Sequence, residues 1–335
     1  MPLSNIKGNN DVGMSPISAK VKAVAGVSSK KIGYKLDVAF KLTALVSGLV
    51  VIAVTLGIGI LLLVNSQTSI QHFGLGFLTN ASWNPVEENF GALSSIYGTL
   101  VSTGIAMLIA APIGLAIALF LVELSHPVLS RIAGSAIELL AAIPSIIFGM
   151  WGLFVFAPLM QQHVQPALGK SLGFLPLFQG PPMGIGMLTA GIILALMILP
   201  YITAVTRDVL QMVPPVLKEA GHGFGATMWE VTKKVSIPYG IRGIVGAMFL
   251  GLGRALGETM AVTFVIGNSH RISPSLFESG NSIASSIALE FGEAVQDPLF
   301  KSVLIELGLI LFIITLIFQV LAHVWLLKLK KNEGR

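Results

Sequence analysis

The stretch that decides the fold has the sequence KEAGHGFG at residues 218–225, passes through Ile237-Pro238, and enters an apolar segment that carries GLGRALGE at residues 251–258. Arg254 and Glu258 therefore lie inside a segment that otherwise has the composition of a membrane span. Charged side chains are costly in that environment and require a functional or structural reason. The polar stretch before them separates two long apolar segments, so we expect a loop with a role of its own.

The composition of the 335-residue chain is that of a membrane protein. Hydrophobic residues make up 54% of it and charged residues only 11%, against roughly 25% charged in soluble domains. Apolar runs of about 20 residues are long enough to cross a bilayer as helices. The sequence predicts an all-α membrane protein with six such spans, at residues 42–64, 96–122, 132–159, 183–205, 241–266 and 302–327. No cleaved signal peptide is expected, because the first run is too long for one.

Lysine and arginine are distributed unevenly between the two sides that six spans define. Seventeen of the 21 lie in residues 1–41, in the 123–131 connector, in the 206–242 stretch and at the C-terminal end. Three lie on the other side, and Arg254 lies within a span. Because positive charge concentrates in cytoplasmic loops, both termini are predicted to be cytoplasmic. The basic charge then reflects topology and contact with membrane lipid, and no nucleic-acid partner is expected.

These spans divide the chain into two regions. Residues 1–36 are polar and contain glycine and proline, which predicts a flexible, basic cytoplasmic tail. Residues 37–335 form the six-helix transmembrane domain, with a cytoplasmic loop at residues 206–240. The chain has no cysteine, and its six histidines are scattered without ligand spacing. We therefore expect no disulfide, no metal site and no bound cofactor.

The cytoplasmic loop carries a spaced motif of small residues, one carboxylate and one proline. Its members are Glu219, Ala220, Gly221, Gly225, Ile237 and Pro238. Pro214-Pro215 precede the motif and can begin a helix, because proline is tolerated in the first turn. The glycines leave little bulk, so another chain can approach closely, and Pro238 is expected to break the run before the fifth span. The alternative is a surface helix whose charges are merely solvated.

Arg254 and Glu258 are four residues apart, so on a continuous helix they share a face and can pair. Intramembrane charges usually face the bundle interior and mark a pathway, and a guanidinium matches an oxyanion with two hydrogen bonds. Arg254 is therefore predicted to meet a translocating oxyanion, with Glu258 holding it in place and tempering its affinity. The alternative is a structural ion pair, within the chain or with a partner.

Two further carboxylates lie in apolar runs. Glu138, in the third run, is predicted to pair with Arg254 or to line the pathway; the alternative places it near the cytoplasmic interface. Glu306, a few residues into the sixth run, is predicted to be interfacial. Pro144-Ser145 predicts a break within the third run.

The loop motif resembles the signature of ABC importer permeases, E-A-A-x3-G-x9-I-x-L-P. The spacing matches throughout, and the departures are Gly221 for alanine, Val235 for isoleucine and Ile237 for leucine. The segment around Arg254 and the third-run segment AIELLAAIPSIIFGMWGLF at residues 136–154 resemble phosphate importer permeases, most closely the PstC-type subunits. The resemblance extends over nearly the whole chain after the tail.

This resemblance implies a type I importer fold in the bacterial inner membrane and phosphate import as the function. It also implies three partners: a second permease subunit of PstA type, a cytoplasmic ATPase, expected as a dimer, and a periplasmic phosphate-binding protein. The ATPase would bind ATP and Mg²⁺ and would receive the loop as a coupling helix, so the chain itself is not expected to be an enzyme. The alternatives are the same class of permease for sulfate or molybdate, a membrane sensor or scaffold in phosphate signalling, and a secondary transporter.

Overall fold

The computed structural model describes the backbone of residues 16–332 and the side chains of residues 36–328. Within the described part, six helical segments are long and apolar enough to cross a membrane. These candidate spans are Leu36–Asn65, Leu93–Leu124, Ser145–Leu172, Met187–Gln211, Met228–Leu256 and Pro298–Lys328. The predicted all-α class and the predicted number of spans are confirmed.

Fifteen helices follow one another along the described part of the chain. They are α1 (Pro16–Asn65), α2 (Gln67–Phe73), α3 (Gly76–Thr79), α4 (Leu93–Leu119), α5 (Pro127–Ala141), α6 (Ser145–Trp151), α7 (Ala157–Leu159), α8 (Gln165–Leu172), α9 (Met187–Gln211), α10 (Pro215–Gly223), α11 (Met228–Val231), α12 (Ile237–Leu256), α13 (Met260–Val265), α14 (Ile283–Ala294) and α15 (Pro298–Asn332). Four π-helical turns extend or join these helices, at Phe120–Leu124, Gly152–Phe156, Met160–Val164 and Thr232–Ser236, and one 3-10 turn lies at Pro176–Phe178. A short hairpin pairs β1 (Trp83–Asn84) antiparallel with β2 (Asn89–Phe90).

The chain forms two compact units that divide after Ile60. The described part of the first unit is the portion of α1 that begins at Pro16. The predicted flexible tail is therefore helical from Pro16 onward, and its residues 1–15 lie outside the described residues. Proline at the first helical position and the alanine- and lysine-rich segment at residues 19–25 both favour a helix. That local propensity outweighs the polar composition on which the prediction of flexibility was based.

The central helix of the second unit is α9, which packs between α4 and α12. Two-thirds of its apolar stretch is buried, including Ile193, Leu194, Ile198 and Ile202. Small residues allow this close packing, as is common between membrane helices. A Cβ at Gly251 on α12 would come within 2.7 Å of the Ile202 side chain on α9.

The third span begins later than the sequence predicted. Pro144 adopts an extended ψ of 135° and is the N-terminal cap of α6, so the chain breaks between α5 and α6. The predicted break at Pro144-Ser145 is confirmed. The predicted span at residues 132–159 is wrong, because its first ten residues belong to α5 and the candidate span is Ser145–Leu172. Hydropathy cannot separate two helices when both are apolar.

A buried polar cluster ties the 267–282 loop to α4. The Asn281 side-chain amide donates to Ser95 Oγ on α4 at 2.7 Å and to Ser286 Oγ on α14 at 2.9 Å. Asn281 Nδ2 also lies 2.9 Å from His270 Nδ1. A Cβ at Gly98 on α4 would overlap the backbone carbonyl of Asn281, so the loop rests directly on the helix backbone at that point.

His270 continues this cluster towards the hairpin. Its Nε2 lies 3.0 Å from Glu290 Oε1, and the indole N–H of Trp83 donates to Glu290 Oε2 at 2.8 Å. The His270 and Trp83 rings stack with centroids 4.5 Å apart and planes 4° apart. Three separate segments, the hairpin, the 267–282 loop and α14, are thereby held together by one carboxylate and one imidazole.

Candidate functional site

The apolar segment that carries Arg254 is interrupted immediately after that residue. Helix α12 ends at Leu256, Gly257 is its C-terminal cap, and a new short helix, α13, starts at Met260. Glu258 lies in the break, and its Oε1 accepts a hydrogen bond from the Ala261 backbone N–H at 3.2 Å. The predicted pairing of Arg254 with Glu258 on one helical face is wrong, because the helix does not continue to Glu258.

Glu258 is instead a local capping residue for α13, satisfying a backbone donor that the helix start leaves free. The break itself is held by α6, against which α13 packs. A Cβ at Gly149 on α6 would come within 2.9 Å of the Ala261 Cα, so the two helix backbones are in close contact. The sequence signal for this break was Gly257 followed by two polar residues.

Arg254 lies in the last turn of α12, and its side chain is exposed on the surface of the isolated subunit. Its guanidinium carbon is 5.9 Å from the ring centroid of Tyr201 on α9, a cation–π arrangement. Within the described side chains it makes no ion pair with a carboxylate. Arg254 lies near the Leu256 end of the candidate span. A guanidinium exposed to lipid hydrocarbon is unfavourable, so a polar environment, either an aqueous path or a partner, suits this surface of α12.

Glu138 forms its ion pair with Arg207, and it forms none with Arg254 among the described side chains. It lies on α5, outside the candidate span, and its Oε1 is 2.6 Å from Arg207 Nη2 on α9. Its side chain is half exposed, whereas that of Arg207 is largely buried. The predicted pair with Arg254 is therefore wrong, because α5 ends before the span begins and carries Glu138 to the end of α9 that precedes α10.

Glu306 was predicted to lie at the membrane interface. In the structure its side chain is buried. Its Oε2 accepts a hydrogen bond from Ser69 Oγ on α2. The neighbouring Ser302 bridges the same elements, donating to the Asn65 carbonyl at 2.9 Å and accepting from the Ser69 backbone N–H at 3.1 Å. Glu306 thus fastens α15 to the connection between α1 and α2.

The loop motif forms a compact helical hairpin. Pro214 is extended, and α10 starts with Pro215 at its first position, as predicted. The helix ends in a Schellman arrangement: the Gly225 N–H donates to the His222 carbonyl at 2.9 Å and the Ala226 N–H donates to the Gly221 carbonyl at 3.2 Å. Gly225 has φ +80°, which explains its identity, since other residues are strained there.

A capping box satisfies the N-terminus of the next short helix, α11. The Thr227 hydroxyl accepts from the Glu230 N–H at 3.4 Å, and the Glu230 carboxylate accepts from the Thr227 N–H at 2.9 Å. The Thr-x-x-Glu spacing at residues 227–230 was the available sequence signal, and our sequence analysis missed it. Gly221 packs against this helix, since a Cβ there would come within 3.0 Å of Val231 Cγ2. Its small size serves contact within the chain.

Pro238 does not break the chain before the fifth span, contrary to the prediction. The π-helical turn Thr232–Ser236 leads directly into α12, with Ile237 and Pro238 as its first two residues. Pro238 has no backbone N–H to donate to the preceding turn. Proline is tolerated there because the preceding turn is a wider π-helical turn, which accommodates the absence of that hydrogen bond. The candidate span is consequently continuous from Met228 to Leu256, so α11 and α12 are mechanically connected.

One ion pair attaches α10 to the rest of the second unit. Lys218 Nζ lies 2.8 Å from Glu123 Oε1, and the Glu123 side chain is only 6% exposed. Glu219 and Ala220, the next two residues, are exposed. Phe224 and Trp229 are also exposed, at 92% and 66%. An apolar surface of this kind beside a polar helix is typical of a site that another protein covers.

Comparisons with known proteins agree on one family. Residues 110–329 match the family model described as binding-protein-dependent transport system inner membrane component. The chain is 52% identical over 302 residues to the phosphate transport system permease protein PstC of Mesorhizobium japonicum, covering 89% of this chain and 92% of that protein. It is 51% identical over 300 residues to the protein of the same name from Haemophilus influenzae, covering 88% and 95%.

Solved structures show a similar fold at much lower sequence identity. A chain of a bacterial alginate ABC transporter, in complex with an alginate pentasaccharide-bound periplasmic protein, superposes with a TM-score of 0.53 at 15% identity, covering 78% of this chain and 85% of that chain. A chain of the MetNI methionine ABC transporter in an inward-facing conformation gives a TM-score of 0.51 at 18% identity, covering 70% and 94%. The fold is that of ABC transporter permeases.

Proposed function

The chain belongs to the family of binding-protein-dependent transport system inner membrane components, and on that premise we propose that it is the permease subunit of an ATP-driven importer of inorganic phosphate in the bacterial inner membrane. Identity near 50% to PstC proteins over most of the chain supports the phosphate assignment. The observation that carries the mechanism is Arg254, a guanidinium near the Leu256 end of the candidate span, without a carboxylate partner among the described side chains.

An unpaired guanidinium suits a transported oxyanion. It can offer two parallel hydrogen bonds to a phosphate, and it has no carboxylate to displace first. Tyr201 holds the side chain by its ring face, which leaves the N–H donors free to point away. Binding at such a site must also be weak enough to permit release. A single cation at the end of a broken helix meets that condition better than a cluster would.

Access to Arg254 is proposed to be controlled through α10. The exposed residues Glu219, Phe224 and Trp229 would dock on a cytoplasmic ATPase, which binds ATP and Mg²⁺. Movement of α10 reaches α11 through the Gly221–Val231 contact and then continues along one helical segment to Arg254. From Met228 to Arg254 this segment is about 39 Å long at ~1.5 Å per residue. The coupling motif and the anion contact therefore lie near the two ends of one element.

The remaining partners are proposed from the family resemblance, and the position of Arg254 is compatible with them. Arg254 is exposed on one face of this subunit, so a second permease subunit of PstA type would complete the pathway opposite it. A periplasmic phosphate-binding protein would deliver the anion on the side away from α10. With the termini, the 123–131 connector and α10 on the cytoplasmic side, the positive charge of the chain is distributed as bacterial membrane proteins require. Glu138 has no place in this pathway, because it lies beside Arg207.

The test is phosphate uptake and ATPase activity of the complex reconstituted in vesicles, with phosphate-loaded binding protein on the outside. Arg254→Gln is expected to lower uptake at least ~100-fold, the effect of about two lost charge-assisted hydrogen bonds, while the subunit still assembles. Arg271→Gln, which removes an equal charge from an exposed position in the 267–282 loop, is the control and should transport normally. Wild-type uptake by Arg254→Gln would refute the pathway role, and equal uptake of sulfate would refute the assignment to phosphate.

A further inference from the structure

A basic cavity lies between α5 and α9, and Arg254 does not line it. Its volume is about 330 Å³, within the range of ligand pockets in proteins, and its lining residues are Pro127, Ser130, Arg131, Ser135, Arg207 and Gln211. The α5 members, at residues 127, 130, 131 and 135, lie three, four and eight residues after the first, so they share one helical face. Tyr201, which contacts Arg254, precedes Arg207 by six residues on α9, which places this cavity about 9 Å further along that helix towards α10.

Five of the six lining residues of this cavity have side chains that can donate hydrogen bonds to an anion. Both ionisable lining residues, Arg131 and Arg207, are cationic, and Ser130, Ser135 and Gln211 add hydroxyl and amide donors. The cavity also includes the first residue of α5, and the first turn of that helix contains no acidic side chain. The positive end of the helix dipole therefore adds to the same potential.

Arg207 is fixed in the wall of the cavity by its contact with α5. A Cβ at Gly134 would overlap the guanidinium of Arg207 and come within 2.8 Å of its Cζ. The guanidinium thus lies directly on the helix backbone, and the side chain is only 14% exposed. Its Nε is buried without a hydrogen-bond partner in the described part of the chain. Such a donor is costly unless a ligand or water satisfies it.

Two carboxylates compete for this arginine, and both approach the same nitrogen. Glu138 Oε1 and Asp208 Oδ1 lie 2.6 Å and 3.5 Å from Arg207 Nη2. Neither carboxylate belongs to the cavity lining. The guanidinium of Arg131 forms no ion pair among the described side chains and stays available to an anion, beside the wall of the cavity to which Arg207 contributes its charge.

We infer that this cavity binds a phosphate-type oxyanion, either free inorganic phosphate or the headgroup of an anionic lipid. Gln211, the last residue of α9, lies four residues before Pro215, the first residue of α10. An anion bound there links α5 to the base of α10, so its occupancy sets how firmly α10 is held. The binding inference does not depend on phosphate passing Arg254.

The test uses the full chain in nanodiscs, with Arg254→Gln as the parent so that a pathway site contributes nothing. Binding of radiolabelled inorganic phosphate is measured in phosphatidylcholine discs. A parallel preparation in mixed phosphatidylglycerol discs is analysed for lipid retained after transfer to detergent. Three variants are compared with the parent: Arg131→Gln, Glu138→Gln and, as a charge-matched control in the 267–282 loop, Arg271→Gln.

For free phosphate, Arg131→Gln should weaken binding ~10-fold, as expected for one lost charge-assisted hydrogen bond. Glu138→Gln should strengthen it ~4-fold by removing a competing charge in a solvated site, and Arg271→Gln should match the parent. If the ligand is a lipid headgroup, free inorganic phosphate should not bind. Phosphatidylglycerol should then be retained by the parent and by Arg271→Gln and lost from Arg131→Gln. The inference is overturned if neither ligand binds, or if Arg131→Gln and Arg271→Gln behave alike. The opposite effects expected for Arg131→Gln and Glu138→Gln also separate anion binding from a general loss of folding.

Discussion

Gly98 on α4 offers a sharp test of how the 267–282 loop is held. A Cβ at this position would overlap the Asn281 carbonyl and lie 2.9 Å from its carbonyl carbon. Carbon contacts become comfortable near ~3.5 Å, so in Gly98→Ala the loop must retreat by at least ~0.6 Å. The obstacle is backbone, so rotation of a side chain cannot relieve it.

The cost follows from the hydrogen bonds that this retreat stretches. Asn281 Nδ2 lies 2.7 Å from Ser95 Oγ and 2.9 Å from both Ser286 Oγ and His270 Nδ1. Its two hydrogens serve two of these partners at a time, and a retreat of this size lengthens every one of these contacts beyond the normal hydrogen-bond range. Two buried hydrogen bonds at ~1 kcal/mol each and an overpacking cost of ~2 kcal/mol exceed the ~1 kcal/mol that alanine gains over glycine in a helix. We expect Gly98→Ala to lower the free energy of unfolding by about 3 kcal/mol.

The measurement is a denaturant titration of the detergent-solubilised chain, with hydrogen exchange of residues 267–282 as the local readout. The matched control is Gly104→Ala on the same helix, where a Cβ would meet nothing within 4 Å, so it should raise stability by ~1 kcal/mol. Faster exchange in the loop is expected for Gly98→Ala alone. If the two variants are equally stable, the loop does not rest on α4 as described and the reasoning fails.

Two further predictions concern the attachment and shape of α10. Gly225→Ala places a side chain at φ +80°, a strain of ~1–2 kcal/mol that should distort the turn after α10 and reduce ATPase co-purification; Gly223→Ala, where a Cβ also meets nothing within 4 Å, should leave it intact. Normal co-purification of Gly225→Ala would contradict the role assigned to this turn. Glu123→Gln deprives Lys218 of its partner at 2.8 Å and should destabilise the chain by ~1–3 kcal/mol, measured by the same titration. Lys234→Gln removes an exposed pair at 3.9 Å and should change stability by less than ~0.5 kcal/mol, so equal effects of the two substitutions would argue against an anchored α10.

The features predicted correctly from sequence are those that depend on local composition. Apolar runs of about 20 residues give six spans because only a helix satisfies the backbone in lipid. Pro214-Pro215 predicted the start of α10 for a similarly local reason, since proline fits the first helical turn. The Thr227 capping box was equally local, and attention to the Thr-x-x-Glu spacing would have found it.

The features predicted wrongly depend on where a helix ends inside an apolar segment. Residues 132–141 and the residues after Pro144 are similarly apolar, yet they belong to two helices. Gly257 ends α12 between Arg254 and Glu258, although a four-residue spacing would pair them on a continuous helix. Pro238 does the reverse, because the π-helical turn before it lets the helix continue. Hydropathy measures how apolar a segment is. It does not report the backbone hydrogen bonds of that segment, and these determine where a helix ends.

By itself, then, the sequence determined the class of protein, the number of spans, and the loop motif between the fourth and fifth spans, because each is a property of consecutive residues. Only the tertiary structure decided the partners of the charges. Arg207 pairs with Glu138, 69 residues away in the sequence, and Arg254 faces Tyr201. Which carboxylate pairs with which guanidinium depends on how the helices pack. Packing brings together residues that are far apart in the sequence, and their separation along the chain does not predict the contact.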